Sequence, residues 1–116
     1  MNALKQFMPL KSKITVYVPG TVDINKAIDN SAQVRHVAAV LASAFGGATS
    51  TPAQGFWMSA AGELVTEQTT MVFAYCTTEQ AEEFMPDVLT MCNILCVEMR
   101  QEAIALEYNG EMYFIR

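Results

Sequence analysis

The chain has 116 residues, 52% of them apolar and 16% charged, with a net charge of −5. That length supports one folded unit burying roughly two-thirds of its unfolded surface, and the balance excludes a disordered chain. No run nears the ~18 apolar residues that mark a membrane span, and the start lacks an export signal's apolar segment and cleavage site, so a cytoplasmic protein is expected.

Charge is distributed unevenly. Residues 1–62 carry five Lys/Arg against two Asp/Glu, and residues 63–116 carry two against ten. The acidic half disfavours direct binding to a nucleic-acid backbone. It favours a basic protein surface as partner, although solvated helix and strand faces give the same pattern. The three cysteines, Cys76, Cys92 and Cys96, are odd in number and far in sequence from His36. They read as buried free thiols, and no metal or other cofactor is expected.

Residues 1–12 read as an N-terminal arm and residues 13–116 as a single α+β domain. Residues 14–18 (ITVYV) alternate and stop at Pro19-Gly20, which predicts a strand and a turn. Residues 21–30, with Asp23, Asn25, Asp29 and Asn30, read as a loop, and Ser31 as a helix cap. Val34, Val37, Ala38, Leu41 and Phe45 fall on one helical stripe that ends at Gly46-Gly47. A strand through Phe56, Trp57 and Met58 then turns at Ala61-Gly62 into a long strand over residues 64–75. Thr77 with Gln80 fits a capping box. The helix beyond runs to about Arg100, with Pro86 either kinking it or opening a new first turn. Residues 88–97 are apolar almost all round, so that helix needs cover on a second side, which another subunit is expected to supply. A strand over residues 103–108, the type I′ signal Asn109-Gly110 and a strand over residues 112–115 close the chain.

The order β-α-β-β-α-β-β predicts a ferredoxin-like split β-α-β sandwich, an antiparallel sheet with two helices on one face and an added terminal strand. The uncovered face should show residues such as Thr15 and Tyr17.

Two groups of residues stand out as candidate sites. Gly55 and Trp57 on one strand, near Glu67 on the next, combine close backbone approach, a flat ring for a purine or cation, and a carboxylate. That carboxylate could be buried with a raised pKa or could hold a positive centre. A Trp57 anchored in the core and an exposed Glu67 are the plain alternative. Arg35 and His36, off the apolar stripe, could meet an anion or supply a proton, but read equally as a solvated helix face. The glycine-rich run after Phe45 has the composition of a phosphate cradle but follows a helix instead of opening one.

The succession Arg35-His36, helix, Gly-rich turn, Gly55-x-Trp57, turn, and Thr66-Glu67 leading into an apolar strand resembles phage S-adenosylmethionine lyases. The resemblance implies a ferredoxin-like core and a trimer with ligand bound between subunits. Glu67 would match the functional carboxylate, with Trp57 an aromatic beside it. It also implies that those lyases carry a long C-terminal extension this chain lacks. The whole chain, with ITVYVP near its start and FGGATS in the middle, is similar to small uncharacterised proteins of Firmicute plasmids and phages. That similarity implies a mobile-element accessory protein acting against host defence. Two functional expectations result. One is a non-catalytic, anti-CRISPR-like oligomer (dimer or trimer) that grips a basic protein surface or sequesters a nucleotide-like ligand. The alternative is a lyase in which substrate orientation and Glu67 suffice, because a sulfonium is already a good leaving group.

Overall fold

Ile14, Val16 and Val18 alternate with Lys13, Thr15 and Tyr17, so a single strand presents two unlike faces. In the structure, a computed structural model that describes residues 2–23 and 26–116, this strand is the centre of the fold. The elements are β1 (Ser12–Pro19), β2 (Thr21–Val22), β3 (Lys26–Ala27), α1 (Ser31–Phe45), β4 (Thr49–Met58), β5 (Leu64–Cys76), α2 (Thr78–Glu98), β6 (Ile104–Tyr108) and β7 (Glu111–Ile115). Five strands form an antiparallel sheet in the order β4-β5-β1-β6-β7. With both helices packed on one face, this is the expected ferredoxin-like arrangement plus a terminal strand.

The register assigns the faces. Ile14 pairs with Ala74 and Tyr108, and Val16 with Val72 and Leu106. Directly paired residues point the same way, so these form the helix-side layer. Val37, Leu41 and Phe45 of α1 and Val88, Cys92 and Leu95 of α2 cover it, and all are buried. Burial holds Cys92 protonated, its thiol pushed up to about 12.

Caps and turns follow from local chemistry. Gly46 takes φ 91°, the left-handed conformation that ends α1. Thr77 and Gln80 form the expected reciprocal capping box. Pro86 does not end α2; it lies inside a continuous helix on the exposed side, where the carbonyl it leaves unbonded can meet water. Asn109 and Gly110 take φ 51° and 86°, the conformation a type I′ turn requires. Asn109 also accepts from Lys13 N–H at 2.9 Å and donates to Ser12 Oγ at 3.3 Å, tying the hairpin tip to the start of β1.

Three local expectations are corrected. Residues 21–30 are not all loop: Thr21 pairs with Ala27 and Val22 with Lys26 in a small ribbon, while Asn25 lies outside the described residues. Ser31 does not cap α1. It is the first helical residue, and its N–H and hydroxyl both donate to Asp29, whose carboxyl is held below its ordinary value by those bonds. The Thr-Ser-Thr of residues 49–51 begins β4, in line with a run that follows a helix instead of opening one. Finally, Thr15 is only 1% exposed although it points to the open face. It sits between Phe73 and Glu107 on the central strand, and larger neighbours close over a small side chain there.

Candidate functional site

β4 and β5 pair over ten positions, and within that ladder Gly55 lies directly opposite Glu67. Both therefore face the same way, as do Trp57 opposite Val65 and Ala53 opposite Thr69. The β1 register carries Tyr17 and Pro19 onto this same face, opposite Met71 and Thr69. Across β1, β6 brings Ala105 and Glu107 alongside. This is the face without helices.

Small side chains next to larger ones leave a depression of about 240 Å³ between Gly55 and Glu67, Tyr17 and Pro19, and Gln101 and Ala105. Its walls are held by hydrogen bonds. Tyr17 Oη donates to Glu107 Oε1 at 3.2 Å. Desolvation and then that carboxylate raise the phenol above its ordinary value, so it remains a neutral donor. Gln101 Nε2 is shared among the carbonyls of Thr21, Asp23 and Met99 at 3.0, 3.0 and 3.2 Å, which binds the loop after β1 to the connection between α2 and β6. Glu67 is half-buried and accepts no hydrogen bond from another described side chain or N–H. The depression thus presents one uncommitted carboxylate beside small groups, with Gln68, Thr69 and Gln101 also lining it.

Trp57 stands two residues along β4 from Gly55 on the same face and is 44% exposed, so it is not a core anchor. No residue of β4 is buried, and Phe56 and Met58 on its other face are exposed too. Gly55 is not required by close approach: a Cβ there would sit 3.9 Å from the Glu67 carbonyl, an ordinary contact. What glycine provides is an unfilled floor. The close approach lies at Gly20, where a Cβ would come within 2.7 Å of the Gln68 carbonyl oxygen.

Arg35 and His36 do not join this group. They immediately precede buried Val37 on α1, are exposed, and lie on the helix side of the sheet. Within one subunit the sheet separates them from Glu67. α1 lies on the covered face, and a rotation of about 100° per residue turns both side chains off the core side that Val37 occupies. No local pattern marks Tyr17, Pro19, Gln101 and Ala105 as site residues. Alternation on β1 places Tyr17 opposite in face to Val16 and Val18, but only the long-range pairings set it beside Glu67. Gln101 carries no local signal.

No family model and no curated protein matches this sequence. Among solved structures, a phage S-adenosylmethionine lyase in complex with S-methyl-5'-thioadenosine is similar in fold, with a TM-score of 0.66 and 17% identity; the match covers 98% of this chain and 95% of that one. A phage S-adenosylmethionine lyase in the apo state gives a TM-score of 0.64 at 21% identity, over 90% of this chain and 87% of that one. The likeness at these identities is one of fold. It nonetheless corrects one expectation for that chain: with 95% of it matched, it carries no long C-terminal extension beyond the match.

Proposed function

We propose that this chain is an S-adenosylmethionine lyase-like protein that takes its ligand on the open sheet face, with Glu67 as the functional carboxylate. The single observation that carries this is the coincidence of a full-length lyase-like fold with an uncommitted Glu67 facing a depression beside Gly55. The chemistry asks little of the protein. Breaking the bond between sulfur and the aminobutyryl chain gives both electrons to sulfur, so a neutral thioether leaves without an acid. In a lyase the remaining fragment must close on its own carboxylate or shed a proton. Holding the reactive conformer supplies most of the acceleration, and a carboxylate at Glu67 offsets the cation or receives the proton. Trp57, at the margin, supplies a ring for a purine or a sulfonium.

The same face supports assembly. Met71, Phe73, Tyr75, Met112 and Phe114 share it, with Tyr75 52% and Phe114 62% exposed. Apolar surface of that extent is hidden by a neighbouring copy, which also roofs the shallow depression. A second reading, a mobile-element inhibitor of host defence in the cytoplasm, is favoured by the concentration of ten Asp/Glu in residues 63–116, which suits a basic protein partner. Among the described residues no helix is long and apolar enough to cross a membrane.

Incubation with S-adenosylmethionine, followed by chromatography for S-methyl-5'-thioadenosine, tests the first reading. Turnover should vanish in Glu67→Gln with the melting temperature unchanged, because Glu67 holds no structural bond. Retained turnover in that variant removes Glu67 from the mechanism. No turnover, with a basic protein captured instead, moves the conclusion to the inhibitor.

A further inference from the structure

On the other side of the sheet, α2 stands away from the β6–β7 hairpin and leaves an apolar groove of about 320 Å³. Met85 and Leu89 form one wall, Tyr108, Tyr113 and Ile115 the other, and fully buried Leu106 the floor. Residues 2–11 are all exposed and lie along no part of it. They carry Leu4, Phe7, Met8 and Leu10, with Met8 91% exposed. A short 3-10 turn, Ala3–Gln6, capped by Asn2, sets Leu4 and Phe7 three residues apart and hence on one side.

We propose that this arm docks in the groove of a second copy of the chain, linking subunits by exchange of N-terminal arms. Three observations select that occupant. The arm leaves the body at the groove's mouth: Ser12 Oγ lies 3.3 Å from Thr78 Oγ1 at the start of α2 and accepts from Asn109 at the hairpin tip. The charges match, since the arm holds Lys5 and Lys11 and no acid, whereas Glu82 lines the groove and exposed Glu111 pairs with Tyr108 of its wall. The reach is ample, because ten extended residues span roughly 33 Å and the stretch of α2 from Ala81 to Leu89 rises only about 12 Å. Folding back onto its own groove would need a reversal just before β1. In the structure residues 2–11 stay exposed and off that groove, and Pro9 holds Met8 extended. Exchange between identical chains needs no such turn. This contact is on the opposite face from Glu67 and stands whether or not the chain is a lyase.

Differently tagged copies carrying Phe7→Cys and Leu89→Cys, mixed and mildly oxidised, test the exchange. The expected result is a disulfide-linked heterodimer that neither variant forms alone; the native thiols are buried and the single-variant controls account for them. Both chain types fold independently of the outcome, because Phe7 and Leu89 are surface residues. Absence of the heterodimer overturns the proposal, as does a crosslink formed only within one chain when both cysteines are placed together. Lys5→Glu with Lys11→Glu in the arm should lower the heterodimer yield, and Glu82→Lys in the acceptor should restore it. An undiminished yield overturns the charge match and with it the choice of occupant.

Discussion

Gly20→Ala should be the most damaging small substitution in the protein. Gly20 is buried at the end of β1, and its N–H donates to the Gln68 carbonyl at 2.9 Å. An added Cβ would lie 2.7 Å from that oxygen, 3.2 Å from its carbonyl carbon and 3.2 Å from the Gln68 Cβ. Two of those three atoms are backbone in the middle of β5, so no rotamer change relieves the contact. Overpacking of this kind costs about 1–3 kcal/mol, and weakening the buried hydrogen bond adds about 1 kcal/mol. The expected loss is about 2–4 kcal/mol, a fall in melting temperature of roughly 8–16 °C for a domain of this size. Urea unfolding followed by circular dichroism measures it, with an unchanged m-value showing that the loss is native-state strain. Gly55→Ala is the control: its Cβ would meet only the Glu67 carbonyl at 3.9 Å. It should hold or gain up to about 1 kcal/mol, since glycine within a strand is entropically costly. The reasoning fails if Gly20→Ala matches the wild type, or if the two alanines cost the same.

Three further outcomes are expected. The Cys92 thiol is raised from 9.0 to about 12 by burial. Above pH 9 the unfolded chain therefore releases a proton that the folded chain keeps, and stability should fall by about 1.4 kcal/mol per pH unit up to about pH 12. Cys92→Ala should show a shallower alkaline decline in urea titrations, and equal slopes would contradict the burial argument. Asn109→Ala, which places alanine at φ 51° and removes the side-chain bonds to Lys13 and Ser12, should cost about 2–3 kcal/mol. Asn109→Gly should recover the conformational share, so identical losses in the two variants would refute the turn's role. Trp57→Ala should cost only about 1–2 kcal/mol by thermal melting, not the 3–5 kcal/mol of a buried aromatic, because the ring is 44% exposed; a larger loss would place it in the core.

The parts legible from the chain alone are those set by neighbours a few residues away. The β-branched alternation at residues 14–18, the stripe from Val34 to Phe45, the capping box at Thr77 and the Asn109-Gly110 turn each follow from local geometry, and each is present. The order of elements follows from them. The misreadings arise where a distant strand intervenes. Alternation places Thr15 on the open face, where a lone strand would expose it, yet Phe73 and Glu107, 58 and 92 positions away, enclose it. The strand setting of Gly55 points to it as the close-packed glycine, whereas Gly20 holds that position because of Gln68.

For the candidate site the division is similar. Gly55, Trp57 and Glu67 share a hairpin, so pairing across a short turn brings them together. Arg35 and His36 could be placed near them only by analogy, and the sheet keeps them apart. Tyr17 and Gln101 enter the depression through the strand order β5-β1-β6 and the loop bonds of the Gln101 amide. Periodicity states which residues share a face of one element. Which elements lie side by side is decided by burial summed over the whole chain, and that is where the depression and the apolar groove arise.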